Sequence, residues 1–364
     1  KPKECMKNFK FKLMLYRFYL IVKKFYFSLQ DALGISTFKI YDESIPKKII
    51  KLRDLVNKYN LKEKKVFNKI RINTPPPLLF PKKFQTDLVS PGDYYDFPSV
   101  YIAKLDKARV YSGTNLIFLR DSVVCHDLYN FRKDYTSEEL HGLHTLLSNF
   151  TEISRLNKTP LKTIAHWLTE VLPRIAVFCS TEQYKNIPLI VDAGLHPNII
   201  ESLKLIAGFG RKIIYQEKNM VINVNNLYVT SVCGYVPFGL RDLKFDDCSP
   251  HGMFSRDSFE LLRKKILKHS KKIFFEKKYK KIFFSRKSQA RKLLNVKEIE
   301  NIALKKGYKV VYPEKLSFLE QVSLMKNAES VIGPSGSAMA NFILAPSSTE
   351  CIIFVTKVKG VRYW

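Results

Sequence analysis

A histidine and a glutamate four residues apart are the first candidates for acid–base chemistry in this 364-residue chain. His166 and Glu170 belong to the segment HWLTEVLPR, in which Leu168, Val171 and Leu172 share the opposite, apolar face of a predicted helix. Side chains at i and i+4 are neighbours on a helix, so the imidazole and the carboxylate can contact each other. Such a pair can take a proton from a hydroxyl group, although similar pairs also occur as ordinary decoration of exposed helices.

Two arginines in a connection between secondary-structure elements are candidates for phosphate binding. Arg286 directly follows the predicted strand Ile282–Phe284, and Arg291 lies in the same connection. Ligands of α/β sheets bind at the carboxyl ends of the strands, and guanidinium groups hold phosphate oxygens through two parallel hydrogen bonds. The alternative is a solvated basic loop in a lysine-rich protein.

A turn of small residues joins a predicted strand to a predicted helix in the segment VIGPSGSAMAN. Ser335, Gly336 and Ser337 let the backbone approach a ligand closely, and the free N–H groups at the start of a helix attract an anion. The segment is neither a Walker loop nor a G-x-G-x-x-G fingerprint, so a phosphate cradle and an ordinary tight turn both fit it. No Asp-x-Asp motif beside a strand points to a required metal.

The elements that must position these residues alternate between strand and helix over the last hundred residues. The predicted strands are Ile282–Phe284, Tyr308–Tyr312, Ser330–Gly333 and Glu350–Val355, and the predicted helices are Val296–Lys306, Ser317–Lys326 and Ser337–Leu344. Ser317 and Glu320 have the spacing of a capping box. This alternation predicts a parallel sheet with helices on both faces, and the middle of the chain resembles a looser version of it. Two such halves facing each other would form a cleft.

Charge and composition suggest three regions. The net charge is 62 − 33 = +29, of which residues 1–73 contribute 19 − 6 = +13, residues 74–255 very little, and the C-terminal third most of the rest. We predict a basic, aromatic helical segment over 1–73, a Rossmann-like domain over 74–255 and a second one over 256–364. The basic, aromatic stretch 9–29 suits contact with a membrane surface or a partner, or plain packing.

So basic a chain implies an anionic partner, which can be a nucleic acid, a membrane face, an acidic polymer or a phosphate-bearing substrate. Residues 264–281 interleave lysines with aromatic side chains, as nucleic-acid binders do, but a polar helix leading into a strand fits them better. Six cysteines without a Cys-x-x-Cys pair indicate reduced thiols in a cytosolic protein. We find no stretch of about 18 uncharged apolar residues that would span a membrane.

Taken together, three segments resemble glycosyltransferase family 61, which includes bacterial capsular-polysaccharide biosynthesis proteins. They are His166–Arg174, Ile282–Asn295 and Leu316–Asn341, and the resemblance covers roughly residues 100–355. It implies an α/β fold of two facing Rossmann-like domains (GT-B type). It also implies a nucleotide-sugar donor as co-substrate, no metal cofactor, a glycan or lipid-linked glycan acceptor, and inversion at the anomeric carbon.

The resemblance also distributes the candidate site residues between the two halves. His166 and Glu170 fall in the acceptor half. The residues expected to bind the donor are Arg286, Arg291, Asn295, Gln321, Ser335, Gly336, Ser337 and Asn341. Family members often have His-Gly-Ala where this chain has Ser335-Gly336-Ser337, so a small hydroxyl group replaces an imidazole. Ser335 can donate a hydrogen bond to a phosphate but cannot supply a charge.

The leading hypothesis is an inverting glycosyltransferase that builds a capsular or other surface polysaccharide from the cytoplasmic face of the plasma membrane, without a nucleic-acid partner. Arg286, Arg291 and the helix that begins near Ser337 would offset the charge of the leaving phosphate. One base suffices for inversion; we favour Glu170 over His166, while Glu170 can instead hold the histidine tautomer. The alternatives are a non-enzymatic polyanion or nucleic-acid binder, and a transferase of another GT-B family with a CMP-sugar donor.

Overall fold

A computed structural model describes residues 48–74, 78–80, 94–111, 117–120, 122–128, 164–208, 210–217, 220–235, 252–270, 279–287 and 293–355. The basic stretch 9–29 and Arg291 lie outside these residues, so the predictions made for them remain predictions.

Twelve strands precede residue 256 in the described part of the chain. They are β1 (Lys48–Lys51), β2 (Glu63–Phe67), β3 (Ile70–Asn73), β4 (Tyr94–Phe97), β5 (Val100–Tyr111), β6 (Ile117–Leu119), β7 (Ser122–Cys125), β8 (Leu189–Asp192), β9 (Ile213–Gln216), β10 (Val221–Thr230), β11 (Gly234–Tyr235) and β12 (Met253–Phe254). The remaining strands are β13 (Lys281–Phe284), β14 (Lys309–Val311), β15 (Ser330–Pro334) and β16 (Glu350–Phe354).

Seven α-helices lie in the described residues. They are α1 (Leu52–Tyr59), α2 (Ile164–His166), α3 (Leu172–Ser180), α4 (Pro197–Ala207), α5 (Arg256–Ser270), α6 (Val296–Lys305) and α7 (Phe318–Met325). A turn of π-helix, Trp167–Val171, joins α2 to α3, and a 3-10 helix, Ser337–Leu344, follows β15.

The first half of the described chain, residues 48–254, is built on a six-stranded sheet in the order β1-β7-β6-β5-β10, with β2 also paired to β5. Only β1 and β7 run parallel within it, and the long strands β5 and β10 form an antiparallel ladder in which Leu105 lies opposite Leu227. One parallel unit, β8-α4-β9, stands beside this sheet. The prediction of a Rossmann-like domain over 74–255 is therefore matched by a single strand–helix–strand unit, while the main sheet is antiparallel.

Residues 48–73 differ from the helical segment that we predicted for the first 73 residues. Within them α1 is the one described helix, and β1 and β2 are strands of the six-stranded sheet. Leu52, Leu55 and Val56 on α1 are buried against this sheet. The i, i+3, i+4 spacing of these apolar residues explains the helix, and partners remote in sequence decide the strands around it.

The second half, residues 256–355, matches the predicted alternation of strands and helices closely. Its sheet has the order β14-β13-β15-β16, and every pair of neighbouring strands is parallel. Ser317 and Glu320 form the predicted capping box at the start of α7. Because the chain goes from β13 to one side and returns to β15 on the other, the order of the strands reverses between β13 and β15. The crevice at such a reversal, at the carboxyl ends of the strands, is where open α/β sheets bind ligands.

One apolar core links the two halves. Leu168 and Leu172, next to the candidate acid–base pair, belong to the same buried cluster as Val322, Val331 and Leu344 of the second half. Helix α4 also meets α7 directly, since the Asn198 side chain donates a hydrogen bond to the Leu316 carbonyl. The chain thus has the mixed α/β fold that we predicted, and its described halves pack against each other.

Candidate active site

The candidate acid–base pair is carried by the π-helical turn Trp167–Val171. Leu172 donates its backbone N–H to the Trp167 carbonyl, five residues back, in place of the four-residue spacing of an α-helix. Pro173 explains the change, because it has no N–H to give to the Thr169 carbonyl and its ring crowds that oxygen. A proline within an apolar helical pattern was the only signal of this turn in the sequence.

Gly234 in β11 fits closely against this turn. A Cβ atom built on Gly234 would lie 1.9 Å from the Thr169 carbonyl oxygen, a distance that no side chain can occupy. A glycine is needed here because of this close approach of two backbones. β11 therefore packs directly against the π-helical turn.

The Nδ1 atom of His166, at the end of α2, and a carboxylate oxygen of Glu170, within the turn, form a hydrogen-bonded pair. The two side chains are 21% and 24% exposed, so solvent or a substrate reaches the edge of the pair while the rest is enclosed. Burial by itself lowers the pKa of His166, but the hydrogen bond to Glu170 and its charge outweigh burial and raise that pKa above the ordinary imidazole value. The indole of Trp167, which donates to the Ser202 hydroxyl at 2.8 Å, anchors the turn to α4.

A partly buried arginine lies on the same helical path, one turn beyond the pair. The Nε atom of Arg174 donates to the Thr230 carbonyl at the end of β10, at 3.0 Å. Burial lowers the pKa of this guanidinium, and the charges of Cys233, Glu170 and Asp127 act against that effect. The sequence pattern contained Arg174 but gave no sign of its hydrogen bond to the end of β10.

At the carboxyl edge of the second sheet, Arg286 and Gly336 meet. A Cβ atom built on Gly336 would lie 1.9 Å from the Nη2 atom of Arg286 and 3.1 Å from its Cζ atom. The guanidinium group therefore occupies the space that a side chain at position 336 would fill. The contact lies between β13 and β15, at the point where the strand order reverses.

The turn around Gly336 is fixed by backbone contacts. The N–H of Ser335 donates to the Phe354 carbonyl of β16 at 2.9 Å, and Gly336 has an extended backbone. Ser337 begins the 3-10 helix, where we predicted an α-helix. Close packing behind the turn leaves no room for a side chain at position 333. A Cβ atom built on Gly333 would lie 2.8 Å from the Phe284 carbonyl oxygen.

Two of the residues predicted to bind the sugar donor, Gln321 and Asn341, form a buried pair of side-chain amides. The side-chain N–H of Asn341 donates to the Gln321 carbonyl oxygen at 2.8 Å, and Gln321 donates to the carbonyls of Pro313 and Leu316. Both side chains are almost fully enclosed. In this structure they join α7 to the 3-10 helix, and their contact with a donor stays a prediction.

Asn295 lies apart from this group. Its exposed side chain donates to Glu298 at 3.2 Å, in the first turn of α6. Arg291 lies outside the described residues, so its proximity to Arg286 stays a prediction.

The two halves of the candidate site are neighbours in the fold. Both α2, which ends at His166, and the π-helical turn that carries Glu170 pack against the 3-10 helix Ser337–Leu344. The acid–base pair therefore lies beside the element that begins directly after Gly336. Sequence reasoning placed both groups in one cleft, and the structure brings their supporting elements into contact.

The carboxyl ends of β13 and β14 also carry residues that the sequence did not single out. The Ser285 and Tyr312 hydroxyl groups both donate to one oxygen of Glu300, and the Lys287 backbone N–H donates to Glu314. These bonds hold the loop that contains Arg286 against the loop after β14. Among the residues the structure describes, no group of three His, Cys, Asp or Glu side chains is arranged to hold a metal ion.

Comparisons with known proteins agree with the geometry. A comparison with curated protein sequences gives no match. A family model described as Glycosyltransferase 61 matches residues 164–352, which include the acid–base pair, the Arg286 loop and the Gly336 turn. This confirms the resemblance for the family, and with it an enzyme that transfers a sugar from a donor to a glycan acceptor. The chain belongs to glycosyltransferase family 61.

Proposed function

We propose that the chain is an inverting glycosyltransferase that binds a nucleotide-sugar donor at the β13–β15 crevice and activates the acceptor hydroxyl with the His166–Glu170 pair. The observation that carries the proposal is the position of the Arg286 guanidinium on Gly336, at the reversal of the strand order. A cation in this crevice supports phosphate binding, since ligands of open α/β sheets bind there.

The donor phosphate would leave from the side of Arg286. As the bond between the anomeric carbon and the phosphate oxygen breaks, its electron pair goes to that oxygen, and the guanidinium offsets the new negative charge. With Arg291 and the N–H groups at the start of the 3-10 helix as further donors, we propose that no metal ion is needed for this step.

The acceptor hydroxyl would lose its proton to His166 rather than to Glu170. Because Glu170 accepts a hydrogen bond from Nδ1 of the ring, that nitrogen carries the proton of the neutral imidazole and Nε2 carries its basic lone pair. Against the effect of burial, the hydrogen bond and the charge of Glu170 raise the pKa of His166 above the ordinary imidazole value, which makes the ring a stronger base. This reverses our preference from the sequence and gives Glu170 the role of holding the tautomer, which was the alternative we had left open.

The proposed architecture is GT-B-like, with the β8-α4-β9 unit and its neighbours facing the parallel sheet of the second half. Within the described residues, none of the helices combines the length and the apolar character needed to cross a bilayer. The excess of positive charge supports work on an acidic glycan or at the anionic inner leaflet of a membrane, and hence synthesis of a capsular or other surface polysaccharide.

The test is a panel of nucleotide sugars offered to the full chain, first in a thermal-shift screen and then in a transfer assay with glycan acceptors. A true donor raises the melting temperature, because it binds only the folded state. Arg286→Ala should remove the shift and lower the transfer rate about 10²–10³-fold, as the loss of one charge-stabilising donor does. His166→Gln should keep the shift and abolish transfer.

Arg256→Ala is the matched control, because Arg256 is an exposed arginine at the start of α5 whose guanidinium faces Asp257 and Glu260 of its own helix. It should behave like the wild type in both assays. If Arg286→Ala binds and transfers like the wild type, or if no nucleotide sugar stabilises the folded chain, the proposed function is wrong.

A further inference from the structure

Two lysines share one tyrosine ring at the carboxyl edge of the second sheet. Lys287 lies three residues after β13, and Lys315 ends the 3-10 turn Pro313–Lys315 that follows β14. Their Nζ atoms lie 5.4 Å and 5.9 Å from the centre of the Tyr312 ring. Two ammonium groups are therefore held beside one ring, and the side chain and charge of Lys315 lower the pKa of Lys287, as like charges at short range do.

Hydrogen bonds at the base of these side chains fix the arrangement. The Tyr312 hydroxyl donates to Glu300 of α6 at 2.8 Å, and the Lys287 backbone N–H donates to Glu314. The loops after β13 and β14 are thus tied together where the lysines project from them. Among the residues that the structure describes, neither lysine forms an ion pair with a carboxylate, so the two positive charges are not compensated by an ion pair.

An anion bound by both lysines removes the cost of holding two like charges together. Lys287 and Lys315 are exposed, whereas Arg286 is half-buried, so the group that the lysines bind stays in contact with water. An ammonium group is a compact charge with three N–H donors, and it fits a carboxylate or a phosphate without the fixed fork of an arginine. The two lysines therefore have the chemistry of an anion site at the rim of the crevice.

The lysines lie where the second half of the chain meets the first. Leu316, directly after Lys315, accepts a hydrogen bond at 2.8 Å from the side chain of Asn198 in α4. Lys287 directly follows Arg286, to which we assign the leaving phosphate. A group bound by the lysines is thus beside both the proposed phosphate site and a helix of the half that carries the candidate base.

We propose that Lys287 and Lys315 form a second anion site, which binds a carboxylate or phosphate group of an acidic glycan acceptor. The inference rests on the proposed function for the role of that glycan as acceptor, while the binding of the anion does not depend on it. The second anion site makes the enzyme prefer an acidic glycan over a neutral one of the same length. It assigns to two residues a preference that the net charge of +29 leaves spread over the whole chain.

The test is the binding of acidic and neutral glycans to the full chain, measured by calorimetry without any donor, at about 0.15 M salt to screen distant charges. The probes are a hexasaccharide of galacturonic acid, the same hexasaccharide with its carboxyl groups reduced to alcohols, and a phosphate-bearing oligosaccharide with its dephosphorylated counterpart. The wild type should bind an acidic probe more tightly than its neutral counterpart. In the double variant Lys287→Gln, Lys315→Gln this preference should fall about fivefold or more, since one exposed ion pair contributes up to about fivefold in affinity.

The double variant Lys281→Gln, Lys309→Gln is the matched control. These lysines begin β13 and β14, at the opposite edge of the same sheet. Their Nζ atoms lie 5.7 Å from the centre of the Tyr308 ring and 5.3 Å from that of the Tyr279 ring. The control removes the same charge and the same kind of ring contact, and it should keep the wild-type preference. An equal loss in both double variants would mean general attraction to a basic chain and would overturn the proposal.

Further outcomes identify the anion. Lys287→Arg with Lys315→Arg keeps both charges and should keep the preference, whereas a wild type that binds every acidic probe no better than its neutral counterpart would overturn the proposal. The glutamine double variant should keep the rise in melting temperature that a nucleotide sugar gives. Loss of that rise, as in Arg286→Ala, would mean that the lysines bind the donor phosphate instead. A chain that prefers acidic glycans but is stabilised by no nucleotide sugar would refute the proposed function and leave the second anion site standing.

Discussion

Replacing Gly336 by alanine tests how closely the turn and the arginine depend on each other. The new Cβ atom would stand 1.9 Å from the Nη2 atom of Arg286, whereas ordinary contact begins near 3.4 Å. The guanidinium must therefore retreat by about 1.5 Å, and a misplacement of about 1 Å in a catalytic arrangement can cost 10²-fold in rate. Position 336 has an extended backbone that alanine adopts freely, so the fold itself should survive.

We expect Gly336→Ala to lower kcat/KM about 10²-fold or more and to keep the melting temperature within a few degrees of the wild type. The assay is initial-rate transfer from the donor identified in the nucleotide-sugar screen. In an Arg286→Ala background the same substitution should have little further effect, because the group that it displaces is already gone. Gly210→Ala, which meets no atom within 4 Å, is the neutral control.

Two results would refute this reasoning. One is a Gly336→Ala enzyme with wild-type kcat/KM, which would mean that the position of Arg286 does not matter for transfer. The other is full additivity with Arg286→Ala, which would mean that the glycine acts on something other than the guanidinium. Gly333→Ala should fail differently, through loss of stability, because its Cβ atom would meet the backbone carbonyl of Phe284.

Three further predictions concern stability. Gly234→Ala should destabilise the fold by about 1–3 kcal/mol in urea titrations, since its Cβ atom has no space beside the Thr169 carbonyl; an unaffected midpoint would show that the two backbones separate freely. Ser317→Ala should cost about 1 kcal/mol through loss of the capping box, measured in the same way with Ser347→Ala as an exposed control. Folding raises the pKa of His166, so the ion pair stabilises fully below the ordinary imidazole pKa and less as the pH rises through the folded value. The loss of melting temperature in Glu170→Gln should therefore shrink as the pH rises from the ordinary imidazole pKa of about 6.5 through the raised pKa of the folded state, and a constant loss would contradict the assignment.

The second half of the fold was predictable because its signals are local. Ser317 and Glu320 form a cap that a four-residue window reveals, and each strand of the parallel sheet is a short apolar run bounded by turn residues. Parallel strands joined by helices also fix where the ligand edge lies. For that reason the sequence alone predicts that Arg286 and the Gly336 turn lie at the same edge of the sheet.

The first half was harder because its pairing is remote in sequence. β5 pairs with β10 across more than a hundred residues, and charged residues such as Lys104 and Asp106 interrupt its apolar pattern. Nothing in the residues around β5 announces its partner, and antiparallel pairing with a distant strand replaced the parallel sheet that we predicted. The hydrogen bond from Arg174 to the Thr230 carbonyl of β10 was unpredictable for the same reason.

The candidate site shows how the two kinds of information combine. Spacing alone brought His166 and Glu170 together, since both lie on one helical path. Their exact relation depends on Pro173, which widens the helix locally, and on Gly234, which lets β11 press against the widened turn. The strand β11 therefore contacts the turn that carries Glu170, while the parallel sheet of the second half carries Arg286 and Gly336. A separate part of the fold positions each group of the candidate site.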